Sequence, residues 1–409
     1  MNQTTVYSKE KSRLAVMAFY LAEGLCFASW ASRIPDIKEF FSVDYALYWG
    51  MVLFLIPVGK FVAIPLAGWL VSRFGSRSIM QLSVLGYGAA LLAIGFSTSI
   101  YILGFCLFCF GVFWNLCDIS LNTQGIGIER LYGRTIMAIF HGTWSLAACF
   151  GALIGFVMMN LGEQPWFHFS VVACIVVLLV LLGRRYLIDD ATPEAKEEIS
   201  EGQEKQEKPL MSFVRHPEIL LLQLGLCGLF ALIVESAMFD WSGVYFKEQL
   251  NVPDTLQIGF LIFMVMMACG RFLANWAYGK LGKQRVLQVA GSFIFAGFFI
   301  CALLGNLFDS MALKVAINSI GFMLVGLGIS CMVPTIYSFV AAKSHTPVGI
   351  ALTILSSISF IGSLIAPLLI GAVASAFSLS KAYIVIGLLG LAILLMTTFC
   401  SAFKNDTKQ

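Results

Sequence analysis

Long apolar runs, separated by short polar segments, dominate the sequence. A helix needs roughly 20 mostly apolar residues to cross a bilayer, and twelve of these runs are long enough. Their approximate limits are 13–33, 45–70, 78–98, 101–127, 136–160, 166–187, 216–243, 255–278, 286–306, 311–340, 348–377 and 381–403. The pattern predicts an all-α membrane protein with twelve transmembrane helices.

A charged segment, "DDATPEAKEEISEGQEKQEKPL" (189–210), interrupts this pattern after the sixth apolar run. It contains no aromatic residue and cannot bury a core, which is typical of a polar linker. We therefore predict two six-helix halves, 1–188 and 216–409, joined by a linker at 189–215.

The composition supports a membrane assignment, and the basic residues indicate an orientation. Hydrophobic residues make up 59% of the chain and charged residues 12%, whereas soluble domains are about one quarter charged. With the N-terminus in the cytoplasm, most of the 26 Lys and Arg residues fall on the cytoplasmic side of the predicted helices. Cytoplasmic loops carry such an excess of positive charge, so we expect both termini inside and a cytoplasmic linker.

Sequence motifs of several other protein classes are absent. No GxxxxGK[ST] stretch is present, which argues against an ATP-driven pump. No nucleophile–base or metal-ligating pattern is visible either, which argues against an enzyme. We predict no cofactor, no metal and no nucleic-acid partner.

Two segments in the predicted halves repeat each other. "GWLVSRFGSR" (68–77) follows the second apolar run, and "NWAYGKLGKQR" (275–285) follows the eighth. Each contains a Trp, apolar residues and a basic–x–Gly turn, followed by further basic residues. Parallel halves of six helices are the construction of major facilitator transporters.

The chain resembles the major facilitator superfamily over nearly its whole length. The segment 68–77 is similar to that superfamily's signature loop between helices two and three. The resemblance implies gating roles for Gly68, Arg73, Gly75 and Arg77. It also implies a transporter of a small molecule, which we expect to act as a monomer in the bilayer. The sequence departs from the family at Ser72, where an Asp that helps to close the inner gate usually stands.

A finer resemblance is to the bacterial sugar-permease branch that includes fucose permease. "ASWASRIPDIKEFF" (28–41) and the stretch that begins "DISLNTQGIGIER" (118–130) look like bacterial members near that branch. The acid-x-x-x-Asn pattern of its fourth helix matches Asp118 and Asn122. That branch has a second acid near the outer end of helix one. Ala31 stands at this position here, and Glu23 lies about two turns deeper. The resemblance implies a proton-coupled carrier in the bacterial inner membrane.

Ionisable side chains inside the apolar runs are the candidates for proton exchange. An ionised carboxylate at mid-membrane costs about 2.5–3.5 kcal/mol on insertion scales, so it persists when it pairs, faces water or takes a proton. Asp118 is either a coupling site that faces a cavity or a structural partner of Lys60, and Arg271 is a second buried cation that we expect to neutralise an acid. Glu23 is either a proton site or a permanently protonated acid. The proton-coupling candidates are Asp118, Glu23, Glu235 and His141.

Amide and aromatic side chains near these acids are the candidates for substrate contact. Helical spacing places Trp114, Asn115, Asp118 and Asn122 on one face. Aromatic rings stack on the apolar faces of sugars, although interfacial or core positions explain tryptophans equally well. The predicted substrate-binding residues are Trp30, Trp114, Asn115, Asn122, Gln124, Trp144, Trp241 and Tyr337.

Three functions fit these patterns. The first is proton-coupled symport, that is, uptake of a small polar, sugar-like solute by alternating access. The second is a proton-driven efflux antiporter of drugs or metabolites with the same fold; the fifth apolar run has glycines but no proline, which favours the symporter. The third is a membrane sensor that transports nothing, and the short polar linker and tails offer it no receiver domain.

Overall fold

The computed structural model describes residues 9–133, 136–189, 218–305 and 307–404. Within these ranges nearly all of the backbone is helical and none of it forms a strand. The predicted linker at 189–215 lies outside the described residues except for Asp189.

Twelve helices of the described residues are long and apolar enough to span a membrane. In chain order they are α1 (Lys9–Phe40), α2 (Ala46–Phe74), α3 (Ser76–Gly95), α4 (Ile100–Tyr132), α5 (Met137–Asn160), α6 (Pro165–Tyr186), α7 (Ile219–Gln249), α8 (Asp254–Leu281), α9 (Lys283–Leu304), α10 (Met311–Lys343), α11 (Ile350–Ala376) and α12 (Leu379–Phe399). This confirms the predicted all-α membrane fold. Several helices run past the predicted limits, because hydropathy marks the apolar core whereas backbone hydrogen bonds continue into the polar flanks.

The chain forms two compact units. The first contains the described residues of Met1–Ile37 and Leu55–Gln203, and the second those of Lys38–Phe54 and Glu204–Gln409. In the first unit α4 packs along both α2 and α3. In the second unit α7 packs along α11, α9 along α12, and α8 along α10. Each unit thus places several helices side by side.

Prolines account for the breaks in two helices. The α-helical backbone of α2 is interrupted at Phe54, between the stretches Ala46–Leu53 and Leu55–Phe74. That of α10 is interrupted at Cys331. Pro57 and Pro334 follow three residues after each break, and a proline ring clashes with the carbonyl group four residues earlier. Both breaks thus lie where a proline disturbs the preceding turn.

Glycines allow α2 and α4 to pack with their backbones in close contact. A Cβ atom at Gly111 would overlap the carbonyl oxygen of Ile56 and lie 2.9 Å from its carbonyl carbon. A Cβ at Gly59 would meet the backbone of α4 in the same way, 3.0 Å from the Val112 nitrogen. Small residues permit such close approach of membrane helices. This contact brings the residue after Gly59 next to the middle of α4.

Glu218, which immediately precedes α7, holds the loop between α10 and α11. Its carboxylate accepts hydrogen bonds from the Ser344 hydroxyl (2.9 Å), the Thr346 hydroxyl (3.0 Å) and the His345 backbone N–H (3.2 Å). Partial burial raises the pKa of Glu218, but these hydrogen bonds and the His345 charge outweigh it and hold the pKa below its ordinary value. The carboxylate therefore stabilises this junction in its charged form.

Glu218→Gln should lower the thermal unfolding midpoint at pH 7, and the difference from wild type should close in acid. A group with a depressed folded-state pKa stabilises above its unfolded-state pKa, about 4.3 for Glu. That stabilisation is lost as the pH falls through the folded-state value. Unfolding midpoints in detergent from pH 7 down to about pH 3, below the ordinary pKa of a Glu carboxyl group, test this, with the exposed-loop variant Asp44→Asn as a control. A gap that stays constant with pH would show that the Glu218 charge has no part in it.

Candidate functional site

Three ionisable side chains from three helices meet inside the first unit. Lys60 Nζ of α2 lies 3.4 Å from Asp118 Oδ2 of α4. Glu23 of α1 is 1% exposed, and its carboxyl group lies within hydrogen-bond reach of the Asp118 side chain. Glu23 Oε1 is buried and accepts no hydrogen bond from the described residues. We call Glu23, Lys60 and Asp118 the charged triad.

Of the two interpretations of Asp118 left open by the sequence, the structure shows the pairing with Lys60. Asp118 does pair with Lys60, and its side chain is also 40% exposed while that of Lys60 is 18% exposed. An ion pair that keeps one carboxylate accessible can still exchange a proton.

Aromatic packing fixes the position of Lys60. Its Nζ lies 3.5 Å from the centroid of the Trp114 ring, which is a cation–π contact. Trp114 in turn packs against Phe27 at 5.0 Å and Tyr87 at 6.2 Å between ring centroids. Lys60 therefore has both a carboxylate and an aromatic face as partners.

A second layer of polar contacts links α1 to α4 beside the charged triad. The Tyr20 hydroxyl donates a 2.9 Å hydrogen bond to Asn122 Oδ1. The Tyr20 ring also meets His141 edge-on at 5.7 Å, so this predicted proton residue lies near the same cluster. Asn115 Oδ1 is buried and has no hydrogen-bond partner in the part of the chain that the structure describes. Tyr20 is not among the residues predicted from the sequence, although its spacing of three residues from Glu23 puts both on one helical face.

Trp144 joins the aromatic cluster of the first unit. Its ring stacks on Phe27 at 5.5 Å between centroids, and Phe27 also contacts Trp114. Both tryptophans are only partly buried. Trp114 and Trp144 therefore keep part of their ring surfaces outside this cluster.

Three residues predicted to contact substrate are enclosed by the protein. Gln124 donates to the Ser76 hydroxyl (2.8 Å) and the Ile188 carbonyl (2.9 Å), and accepts from the Ile188 N–H (3.0 Å). Its amide thus ties α4 to the chain after α6. Trp30 is 1% exposed and Trp241 is 0% exposed, which are core positions. We leave these three out of the proposed substrate site.

The signature loop adopts a turn that recurs in the second unit. Gly75 has φ 79° and ψ 150°, and Gly282 has φ 76° and ψ 155°. This is a region of backbone conformation that favours glycine. Each glycine directly precedes a helix, α3 and α9 respectively, so the sequence repeat is also a repeat of local structure.

The basic residues of the loop make different contacts. The Arg73 guanidinium packs over Trp69, 5.3 Å from the ring centroid. Arg77 lies 3.8 Å from Asp189 and donates to the Arg184 carbonyl oxygen at 3.4 Å. Gly68 is half-buried in α2. The Ser72 hydroxyl donates to the Trp69 carbonyl oxygen at 2.9 Å.

The second unit holds its own pair of opposite charges. Arg271 Nη2 of α8 lies 3.7 Å from Glu235 Oε1 of α7, and the two side chains are 31% and 19% exposed. Glu235, a predicted proton residue, therefore has the predicted cation Arg271 as its partner.

A cavity of about 160 Å³ lies inside the second unit. Its walls are mainly apolar, and the Tyr337 and Ser356 hydroxyls, 2.8 Å apart, form a polar edge. Tyr337, a predicted substrate residue, is 36% exposed. The lining residues are Gly228, Leu232, Val333, Ile336, Tyr337, Ser356, Ser359 and Phe360.

Comparisons with known proteins agree with this fold. The Major Facilitator Superfamily model matches residues 14–347. An uncharacterized MFS-type transporter of Yersinia pestis is 28% identical over 394 residues, covering 94% of this chain and 93% of that protein. An uncharacterized transporter of Sinorhizobium fredii is 26% identical over 375 residues, covering 91% and 94%. The crystal structure of a D-xylose–proton symporter is similar with a TM-score of 0.72 at 16% identity, covering 97% of this chain and 100% of that one.

The family match extends over most of the chain, and the relatives match over nearly their full lengths. The twelve helices and the repeated glycine turn agree with it. The chain belongs to the Major Facilitator Superfamily, and it is a multi-pass membrane transporter rather than an enzyme.

Proposed function

We propose that this transporter is a proton-coupled symporter that takes up a small polar, sugar-like solute across the bacterial inner membrane. The observation that carries the proposal is the charged triad, in which two neighbouring carboxyl groups lie beside one cation. The solved structure with a similar fold is named as a D-xylose–proton symporter, so the fold can perform this kind of coupling.

Asp118 gains and loses the transported proton in this mechanism. With Glu23 protonated, its carboxyl hydrogen bonds to the Asp118 carboxylate, which pairs with Lys60. A proton that enters through the exposed side of Asp118 neutralises it and weakens the ion pair with Lys60. The loaded carrier then reorients, and loss of the proton on the other side restores the pair. Alternating access by two six-helix halves, 1–188 and 216–409, follows the family's construction.

The solute contacts in this proposal come from the partly exposed residues beside the charged triad. The Asn115 carbonyl oxygen lacks a donor in the described part of the chain, and a solute hydroxyl group supplies one. Trp114 and Trp144 offer aromatic faces, and Asn122 extends the polar stripe. The chain acts as a monomer with both termini in the cytoplasm, where the signature loop closes the inner gate.

A second candidate function is proton-driven efflux of an amphipathic drug or metabolite. The mainly apolar cavity beside Tyr337 favours it, because apolar walls suit a greasy solute better than a sugar. The two functions differ in the direction in which protons move relative to the solute.

The test is solute-dependent proton movement in proteoliposomes that contain a trapped pH-sensitive dye. Sugars, sugar acids, nucleosides and small drugs are added outside one at a time. Symport should acidify the lumen when the substrate is added, and Asp118→Asn should reduce this signal by about tenfold or more, whereas the exposed-loop variant Asp44→Asn should match wild type. The expected loss corresponds to about 1.4 kcal/mol or more in the coupled step.

Three results would overturn the proposal. Lumen alkalinisation on addition of a solute would identify an antiporter. An Asp118→Asn variant with undiminished proton movement would remove the charged triad from the mechanism. If none of the sugars or sugar acids causes proton movement in the wild-type protein, the proposed sugar-like substrate is wrong.

A further inference from the structure

The charge of the triad changes when Asp118 takes a proton. With one proton on the two hydrogen-bonded carboxyl groups, the single negative charge balances Lys60. With two protons, both acids are neutral and Lys60 alone remains charged at membrane depth. An ammonium group there is unstable without a counter-charge. Each proton taken up for transport therefore leaves a cation to be compensated.

The described residues of the first unit offer Lys60 no other acid. The cation–π contact with Trp114 remains, but such a contact stabilises an ammonium less than its desolvation costs. The remaining described acids of this unit are at the end of a helix, in a loop or near another cation: Glu10, Asp36, Glu129, Glu163 and Asp189.

The other titratable groups near the triad do not supply a negative charge. Phenol and thiol groups are neutral at physiological pH, and an imidazole is neutral or positive. The titratable groups around Lys60 and Asp118 are Tyr20, Glu23 and Cys26 on α1, Tyr87 on α3, Cys117 on α4, and His141 on α5 through its contact with Tyr20.

We propose that the solute supplies the missing negative charge: Lys60 binds the carboxylate of a small hydroxylated acid when Asp118 is protonated. The proposal rests on the proton site of the proposed function and narrows its substrate from sugar-like solutes in general to sugar acids and similar hydroxy acids. Lys60 is 18% exposed beside the 40%-exposed Asp118, so a solute that reaches Asp118 also reaches Lys60. The buried Asn115 oxygen that lacks a donor is three residues from Asp118, and it accepts a solute hydroxyl.

This arrangement couples the proton to the anion. While Asp118 is charged, it pairs with Lys60 and repels the carboxylate of the solute, so the solute binds poorly. Protonation of Asp118 removes the competitor and the repulsion in one step. Acid and proton then travel together as a net neutral pair, and release of the proton re-forms the Lys60–Asp118 pair and expels the acid.

The test uses the purified full chain and measures the thermal unfolding midpoint with added glucuronate, galacturonate or gluconate, each compared with glucose or galactose. Asp118→Asn mimics the protonated acid, so at least one sugar acid should raise its midpoint, and should raise it more than that of wild type. The neutral sugars should produce a smaller shift.

Two further variants make the test specific for Lys60. The double variant Lys60→Gln/Asp118→Asn carries no unpaired charge in the triad, so we expect it to fold and to lose the acid-dependent shift. Lys381→Gln removes an exposed lysine at the start of α12 and should respond as wild type does. Three outcomes would overturn the inference: no acid stabilises Asp118→Asn, a neutral sugar stabilises it equally well, or the double variant keeps the shift.

Because this readout requires no transport, its failure is distinguishable from failure of the proposed function. Proton-coupled uptake of a neutral sugar without acid binding would overturn the inference and leave symport in place. Acid binding at Lys60 without solute-dependent proton movement would count against symport instead.

Discussion

Gly111→Ala should destabilise the protein strongly and move Lys60 away from Asp118. The added Cβ would overlap the Ile56 carbonyl oxygen, and a backbone atom inside a helix cannot turn aside as a side chain can. Overpacking a tight interface costs about 1–3 kcal/mol and occasionally more. We expect roughly 3 kcal/mol here, since α2 and α4 must separate along their contact.

The expected result is a lower unfolding midpoint together with a loss of solute-dependent proton movement. Gly59→Ala should act in the same way, because its Cβ would meet the backbone of α4 from the other side. The matched control is Gly142→Ala in α5, where a Cβ has nothing within 4 Å. Alanine is the better helix former by roughly 0.8–1 kcal/mol, so this control should be neutral or slightly more stable. Equal effects of Gly111→Ala and the control Gly142→Ala would show that the α2–α4 contact does not position the charged triad.

The helices of this fold were predictable from the sequence because lipid imposes one simple condition on them. A spanning segment must be long, apolar and hydrogen-bonded within itself, and each of the twelve runs meets that condition. The exact helix ends were not predictable in this way. Lys38, for example, lies in the last turn of α1, although a lysine marks a polar flank in a hydropathy profile.

The candidate site was only partly accessible from the sequence. Helical spacing grouped Trp114 with Asp118, and the scarcity of buried cations pointed to Lys60. Glu23 joins Asp118 through the packing of α1 against α4, which no spacing within one helix can indicate. Gln124 shows the converse: an amide near a polar stripe suggests a substrate contact, but its hydrogen bonds go to Ser76 and to Ile188 in the chain after α6.

The two copies of the repeat illustrate the same limit. The Gly75 and Gly282 turns have nearly the same backbone angles, as the similar loop sequences indicate. The acids of the two units, in contrast, have different partners. Glu23 lies with a second carboxyl group, whereas Glu235 lies with Arg271. Partner residues on neighbouring helices decide whether such an acid carries a structural charge or an exchangeable proton, which is why the proposed coupling site lies in the first unit.

Lys60→Met should cost stability at pH 8, and Asp118→Asn in the same chain should recover part of that cost. Methionine keeps much of the length of the lysine side chain and its apolar contact with Trp114, but it leaves the Asp118 carboxylate beside Glu23 without a cation. Breaking a buried pair by removing one partner is more destabilising than removing both. Residues in contact show coupling energies of roughly 0.5–3 kcal/mol, and we expect about 1 kcal/mol because the 40% exposure of Asp118 screens the pair.

The cycle consists of wild type, both single variants and the double variant, with unfolding measured in detergent at pH 8 and pH 5.5. The cost of Lys60→Met should shrink at the lower pH, since protonation removes the uncompensated negative charge. The Asp118→Asn variant should be less stable than wild type at both pH values, because Lys60 is left without its carboxylate partner at either pH. Additive effects at both pH values would mean that Lys60 and Asp118 do not stabilise each other, and that Lys60 is held by Trp114 alone. A coupling that is present at pH 8 and reduced at pH 5.5 is the thermodynamic signature of a proton site that breaks its own ion pair.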